Sequence, residues 1–361
     1  MLMSTAIAKV VTGMLSGRNG FFRMLGKCPR EMEPRFRQLR RMSSLMTGRA
    51  RIALPEPVVA LLDATKAAAQ VPGFGEDATL DFSEAEAVLG RSRSALRADR
   101  RAGSLRTAFR IRRGEILPVL DRQEVERIAS QRNIGLANVG RVLGVPPYAV
   151  AQMADAGVLQ YAEHPFVWKT KGLRILEGED VRLLDALRGG ATKLEQGETV
   201  SLYSVLRCVG GRQKPYGQIF SALLTGKINY ELSAGVAVTS RILVRRCDIA
   251  WLIGVTHCPR YFITFPAPTE YSQMDACDVL NLHARDRGSV LRVRHSVRKG
   301  NVRIPVDAID SLARVRVSLT ELSARTGLHY KKVIASLGPR PDPFGWERVK
   351  ACAMLGLSPF S

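Results

Sequence analysis

Apolar positions in this chain fall into short helical runs that glycine interrupts at regular points. Residues 84–90 have the spacing of an amphipathic helix that ends in glycine, and residues 92–102 have that of a second short helix. Gly103 then precedes an extended stretch, and a hydrophobic-acidic helix start follows at 121–125. Much of the same order returns over 139–159. Because glycine readily adopts the left-handed conformation that ends a helix, the pattern predicts two short helices joined by a tight turn.

The spacing of these markers extends the pattern to five tandem repeats. The predicted turn positions are Gly90, Gly144, Gly210, His283 and Gly327. The second marker of each repeat, after the second helix, is Gly103, Gly157, Gly226, Gly300 and Gly338. The predicted boundaries are 76–130 for repeat 1, 131–190 for repeat 2, 198–256 for repeat 3, 273–314 for repeat 4 and 316–357 for repeat 5. A generic helical protein without repeats is the alternative, since helix–glycine–helix order is common.

These elements predict a mainly α fold: tandem helix-turn-helix or winged-helix units with small β-hairpin wings. In repeat 1, Ser83 is the expected N-cap of the first helix, with Glu86 completing a capping box. Two extended runs within 106–120 flank Arg113 and Gly114, which predicts a hairpin wing. We expect repeat 5 to be too short for a wing. A basic helical region is predicted over 1–75, and a proline-rich connector over 257–272.

The net charge of the chain indicates what kind of partner it binds. The chain of 361 residues carries 54 Lys and Arg against 33 Asp and Glu, a formal net charge of +21. Such an excess indicates an anionic partner, most commonly DNA or RNA. Arginine dominates, and its planar guanidinium suits phosphates and guanine edges. Arginine enrichment is also typical of GC-rich genomes, so part of the excess has this alternative explanation. Aromatic residues make up only 6%, which argues against a stacking platform for single strands.

Cationic and polar side chains of four repeats are the candidate DNA contacts. Those at the second helix of repeat 1 are Arg91, Arg93, Ser94, Arg97, Arg100 and Arg101. Repeat 3 offers Arg212, Lys214 and Tyr216. Repeat 4 offers Arg285, Arg287, Arg292, Arg294, Arg298 and Lys299, and repeat 5 offers Lys331 and Lys332. The second helix of repeat 2 has almost no positive charge and includes Asp155, so repeat 2 is predicted to be structural or protein-binding.

No residue pattern typical of an enzyme is found. The sequence contains neither a P-loop nor a dinucleotide fingerprint, and its six cysteines form no C-x-x-C pair. Acidic pairs such as Glu84 and Glu86 lie at helix starts, where the helix dipole favours carboxylates. We therefore predict a non-enzymatic protein with no metal, cofactor or small-molecule substrate. Unpaired cysteines favour a reducing, cytoplasmic location, and the apolar stretch 7–15 is too short to span a membrane.

The first two repeats resemble the MerR/excisionase-type winged helix. The resemblance rests on 83–92 with 101–105 in repeat 1, and on 142–145 with 155–159 in repeat 2. The wider layout is similar to the C-terminal half of long TniQ-type proteins of bacterial transposons, in which a helical region precedes several such units. Residues 21–25 with 28–30 resemble the helical stretch in that position, whereas the cysteine-rich zinc sites of those proteins have no counterpart here.

The leading hypothesis is a DNA-binding protein of a bacterial mobile element that binds duplex DNA through repeats 1, 3 and 4. The TniQ resemblance implies a role in transposition target selection, with a transposition ATPase or other transposition proteins as partners. A non-catalytic protein-interaction scaffold and a transcriptional regulator are the alternatives. An RNA-binding adaptor is a further alternative, although the deep, narrow major groove of duplex RNA excludes a recognition helix.

Overall fold

The computed structural model describes residues 77–112, 115–194, 199–256, 269–298 and 301–360. The helical region predicted over 1–75 lies outside the described residues, as do Lys299 and most of the predicted connector 257–272. The described chain divides into two compact bodies. The first body contains the described residues up to Gln131 together with His164–Thr170, and the second contains Arg132–Glu163 and the residues from Lys171 onward.

The first body is built from short helices around one antiparallel sheet. It contains β1 (Thr79–Leu80), α1 (Phe82–Leu89), α2 (Arg93–Arg101), β2 (Thr107–Arg112), β3 (Glu115–Asp121) and α3 (Arg122–Ser130). The strands are ordered β1-β3-β2, and β2 and β3 form the hairpin that the sequence predicts for 106–120. Leu96, Leu120 and Val125 are fully buried in this body.

The first helix starts two residues earlier than the capping prediction. Asp81, not Ser83, is the N-cap of α1, and its side chain accepts hydrogen bonds from the backbone N–H groups of Ser83 and Glu84. The Glu84 carboxylate accepts from the Asp81 N–H, so the capping box pairs Asp81 with Glu84 rather than Ser83 with Glu86. The bond from the Glu84 N–H holds the pKa of the Asp81 carboxyl below its usual value. The predicted helix was correct, and its cap was misplaced by two residues.

The second body holds the remaining elements. Its first half contains β4 (Asn133–Gly135), α4 (Leu136–Leu143), α5 (Pro147–Asp155), β5 (Arg174–Leu176), α7 (Glu179–Gly190), β6 (Thr199–Ser201), α8 (Leu202–Cys208), α9 (Tyr216–Leu224), β7 (Tyr230–Leu232), α10 (Val238–Arg241), β8 (Ile242–Arg245) and α11 (Ile249–Gly254). Helix α6 (Pro165–Lys171) lies between α5 and β5 in the chain, and its residues up to Thr170 belong to the first body.

The last part of the chain completes the second body. It contains β9 (Glu270–Tyr271), α12 (Gln273–Val279), a 3-10 helix over Ala284–Arg292, β10 (Ser296–Arg298), β11 (Asn301–Pro305) and α13 (Val306–Val315). The final elements are β12 (Arg316–Val317), α14 (Leu319–Thr326), α15 (Tyr330–Leu337), β13 (Trp346–Glu347) and α16 (Arg348–Met354).

One strand pairing recurs along the five predicted repeats, although in repeat 4 its first strand lies before the predicted start at 273, in the predicted connector. The strand that precedes the first helix pairs antiparallel with the strand that precedes the last helix: β1 with β3, β4 with β5, β6 with β8, β9 with β11 and β12 with β13. The described chain is therefore mainly helical, with small antiparallel sheets. Among the described residues, no helix combines the length and apolar character needed to cross a membrane.

The turns between paired helices follow the predicted positions in three repeats and depart from them in two. Gly90, Gly144 and Gly327 have φ values of 63°, 69° and 69°, as expected for glycines after a helix. In repeat 3 the left-handed residue is Gly211, not Gly210. In repeat 4 it is Asn281, with φ 50°, and not His283, because asparagine tolerates this conformation better than other non-glycine residues.

The core of the second body joins repeats 2, 3 and 4. Helices α5 and α9 pack so closely that a Cβ on Gly217 would lie 2.4 Å from the Gln152 carbonyl oxygen. Six residues of each helix are buried: Tyr148, Ala149, Val150, Gln152, Met153 and Ala154 in α5, and Tyr216, Gly217, Ile219, Phe220, Ala222 and Leu223 in α9. The second helices of repeats 2 and 3 therefore cover each other.

Candidate nucleic-acid interface

Helix α2 presents a cationic face. Arg93, Arg97 and Arg101 follow at four-residue intervals, and all three are exposed together with Ser94. Leu96 and Asp99 are buried on the other side of the helix. A short helix with exposed arginines after a tight turn has the dimensions that enter a major groove of DNA.

A buried carboxylate fixes the position of α2. Asp99 has a side chain only 2% exposed, and its Oδ2 accepts a hydrogen bond of 2.7 Å from Arg91 Nε. Its Oδ1 lies 3.0 Å from Lys169 Nζ. The Arg91 guanidinium also lies over the Phe166 ring, 5.9 Å from its centroid. Arg91 was predicted to contact DNA, whereas the structure shows it half-buried and bound to Asp99, which makes it a positioning residue for α2.

The ring of Phe82 contacts two arginines of α2. Its ring lies 5.4 Å from the Arg97 guanidinium carbon and 5.8 Å from that of Arg100. Burial, followed by the neighbouring charges of Arg101 and Arg97, lowers the pKa of Arg100, whose buried Nε has no hydrogen-bond acceptor among the described residues. Arg93 Nε lies 2.7 Å from a Glu86 carboxylate oxygen, in a pair that solvent reaches. The aromatic ring therefore orders part of the cationic face without neutralising it.

Repeat 3 does not present the predicted DNA contacts. Lys214 and Tyr216 are only 3% and 4% exposed. The third residue, Arg212, is half-buried and donates to the carbonyl oxygens of Val255 (2.8 Å) and Ile253 (2.6 Å) at the end of α11. A buried ammonium or phenol cannot reach a phosphate, so the predictions for Lys214 and Tyr216 have to be corrected. Arg212 satisfies helix-end carbonyls in this structure.

Lys214 and Tyr216 belong instead to a buried polar cluster around Asp278. The Tyr148 hydroxyl donates to one carboxylate oxygen of Asp278 at 2.6 Å. Lys214 Nζ and the Tyr216 hydroxyl donate to the other, at 2.8 Å and 3.2 Å. Backbone N–H of Tyr148 donates to Asp275 at 2.8 Å. This cluster draws at least one residue from each of repeats 2, 3 and 4. Because its polar groups hydrogen-bond to one another, they can be buried in the core that these repeats share.

Burial raises the pKa values of the tyrosines and carboxyl groups in and near this cluster. Desolvation, followed by the negative charge of Asp278, raises the pKa of Tyr148 and Tyr216 well above the usual value. Desolvation also raises the pKa of Asp275 and of Asp310, whose carboxylate accepts from the Tyr271 hydroxyl at 3.2 Å. These shifts have structural causes within the core.

Repeat 4 places its arginines on an irregular segment rather than on a helix like α2. Arg285, Arg287 and Arg292 are exposed on the 3-10 helix Ala284–Arg292, and Arg294 is exposed just after it. Arg298 lies in β10, and Lys299 is outside the described residues.

Repeat 5 presents a second helix that is mostly free of the core. In α15 only Val333 is buried, while Lys331 and Lys332 are exposed next to Tyr330. The repeats at the two ends of the array therefore expose their second helices, whereas repeats 2 and 3 bury theirs. The low charge of the second helix of repeat 2 agrees with its burial in α5.

Sequence reasoning missed the residues that position α2. Asp99 and Lys169 are 70 positions apart and pair only in the fold, so no local pattern could link them. Phe82 is the first residue of α1, and nothing in the local sequence links its ring to the arginines of α2. The one available signal was Asp99 itself, an acidic residue within an otherwise basic helix.

Neither a metal site among the described residues nor a similarity to a known protein points to a function. Within the described residues, no group of three or more His, Cys, Asp and Glu side chains lies close enough to hold a metal ion. Comparison with protein families, curated proteins and solved structures gives no significant match.

Proposed function

We propose that this protein binds duplex DNA, with α1 and α2 acting as a helix-turn-helix and α2 as its recognition helix. The observation that carries the proposal is the cationic face of α2: Arg93, Arg97 and Arg101 are exposed at four-residue intervals, while Asp99 fixes the helix from inside. A preorganised face of this kind loses little conformational entropy when it binds. The hairpin β2–β3 takes the position of a wing after this helix.

The other repeats have different roles in this proposal. Repeats 2 and 3 form the structural core of the second body, because α5 and α9 bury each other. On the resemblance to MerR/excisionase units and to TniQ-type proteins, the proposed setting is a bacterial mobile element, with transposition target selection as the proposed role. Transposition proteins are then the proposed protein partners.

Binding to duplex DNA across a salt series tests the proposal. Fluorescence anisotropy should show a steep loss of affinity between about 50 and 200 mM salt, because each phosphate contact contributes about −0.9 to the slope of log K against log salt. The triple variant R93A/R97A/R101A should lower this slope by up to about 2.7, if all three arginines contact phosphates.

A matched control variant distinguishes the loss of direct DNA contacts from the effect of a lower net charge. R132A/R141A/R188A removes three exposed cations of the second body, and it changes the net charge equally. It should leave the slope nearly unchanged. Equal effects of the two triple variants would refute the assignment to α2. No binding of the unmodified chain at low salt would refute DNA binding and favour the scaffold alternative.

A further inference from the structure

A second cationic surface lies in the second body, and it is built differently from α2. Its first part is the 3-10 helix Ala284–Arg292 with Arg294, here named the strap. The strap exposes Arg285, Arg287 and Arg292. Nine residues is long for a 3-10 helix, whose hydrogen-bond geometry is poorer than that of an α-helix, so the surroundings must hold this conformation.

The strap is attached to the core along its length. Val290 is completely buried, and the His283 side chain accepts a hydrogen bond from the Arg285 N–H at the start of the strap. The Arg287 carbonyl oxygen accepts from Gln273 Nε2 at 3.2 Å. An attached strap can meet the ridge of a DNA backbone, but it cannot enter a groove as a free helix does.

Helix α15 is the second part of this surface. Arg340, three residues after the end of α15, forms a two-armed ion pair with Asp286 of the strap, with N–O distances of 2.9 Å and 3.3 Å. Repeats 4 and 5 are also joined where the Ser318 hydroxyl donates to the Asn281 carbonyl at 2.9 Å. The strap therefore lies beside the segment that follows α15.

Acidic groups in this region are neutralised within the protein. Asp286 pairs with Arg340, Asp342 pairs with Arg316 at 2.8 Å, and the buried Glu321 pairs with Arg348 at 2.9 Å. In contrast, six cations of the strap and α15 form no ion pair with any described residue: Arg285, Arg287, Arg292, Arg294, Lys331 and Lys332. The surface therefore keeps an excess of positive charge for a polyanion.

We infer that the strap and α15 form a second DNA-contacting surface that binds the phosphate backbone without reading sequence. This inference rests on the proposed function, because it assigns the same ligand to a second site. The strap and α15 then add affinity and salt dependence to those of α2, while discrimination between sequences comes from α2 alone. The two surfaces divide the task as phosphate contacts and base contacts do in DNA recognition generally.

The test compares triple variants of the full chain on two unrelated duplexes of equal length. R285A/R287A/R292A should lower the slope of log K against log salt by up to about 2.7, and should weaken binding to both duplexes by the same factor. K331A/K332A should act in the same direction, by up to about 1.8. R93A/R97A/R101A should lower the slope as well, and it should in addition change the ratio between the two affinities. Circular dichroism should show unchanged melting for the strap variant, since its three side chains are exposed.

The outcomes separate the two proposals. An unchanged slope for the strap variant, with a lower slope for R93A/R97A/R101A, would overturn the second surface and leave the proposed function standing. Unchanged slopes for both would overturn both. A strap variant that weakens binding to only one duplex would overturn the assignment to the backbone. Equal losses in the strap variant and in R132A/R141A/R188A would show an effect of net charge alone, and would also overturn it.

Discussion

Arg91 and Arg101 lie ten residues apart on the same basic stretch, yet the structure predicts opposite consequences for their replacement. Arg91 donates to the buried Asp99 at 2.7 Å, whereas Arg101 is exposed at the end of α2. Arg91→Ala should therefore destabilise the first body and affect DNA binding only indirectly. Arg101→Ala should weaken DNA binding and leave stability unchanged.

The size of the Arg91 effect follows from its contacts. A hydrogen bond to a charged group contributes about 1.5–3 kcal/mol, and the lower end applies because the Arg91 side chain is 35% exposed and Lys169 still pairs with Asp99. The position over Phe166 adds about 0.5 kcal/mol. The expected loss is therefore about 2 kcal/mol, equivalent to a roughly 30-fold change in a local opening equilibrium.

Native-state hydrogen exchange measures this loss directly. Amides of α2 should lose protection by about 30-fold in Arg91→Ala and should be unaffected in Arg101→Ala. A double-mutant cycle with Asp99→Asn should show that Arg91→Ala costs less when the carboxylate is already absent. Unchanged protection in Arg91→Ala, together with a salt slope lowered as in Arg101→Ala, would refute the positioning role and return Arg91 to the DNA contacts.

Three other predictions concern the second body. Asp286→Asn should steepen the salt slope by up to about 0.9, because it releases Arg340 and removes the one acidic side chain of the strap; an unchanged slope would contradict the second surface. Gly217→Ala should destabilise the body by about 1–3 kcal/mol in urea unfolding, since the added methyl meets the Gln152 backbone, and full stability would argue against the close helix packing. Stability should also fall as pH rises above about 10, by up to about 1.4 kcal/mol per pH unit for each tyrosine, because the unfolded state ionises phenols that the fold keeps protonated. Phenolate absorbance should therefore show that three tyrosines ionise only on unfolding, and their ionisation in a folded chain would contradict the buried cluster: Tyr148, Tyr216 and Tyr271.

The local sequence pattern was enough to predict the two helices and the hairpin of repeat 1. Helical spacing alone places Arg93, Arg97 and Arg101 on one face, and the structure exposes all three. The hairpin β2–β3 was also predictable, because Arg113 and Gly114 separate two runs that are able to extend. Interactions between distant residues were not predictable, and the pair of Asp99 with Lys169 is the clearest example.

Repeat 3 shows why charge near a turn is a poor guide to a binding surface. Lys214 lies beside the predicted turn, where an exposed cation was expected, but its ammonium group binds Asp278 from the next repeat. The sequence did contain a signal: α9 carries no charged residue, and Ile219, Phe220 and Leu223 give it a wide apolar face. A helix face of this kind is typically buried against the core. The composition of α9 therefore argues against a DNA-contacting role for repeat 3.

The packing of α5 against α9 also restricts how such a protein can evolve. In arrays of independent modules, such as zinc fingers, a new module adds new recognition and leaves its neighbours intact. Here the removal or insertion of one repeat between 131 and 256 would expose a helix that its neighbour now covers, with Gly217 against Gln152 at the centre of the contact. A change in the number of helix pairs in this stretch would therefore disrupt core packing, whereas substitutions on the outer surfaces would leave that packing intact.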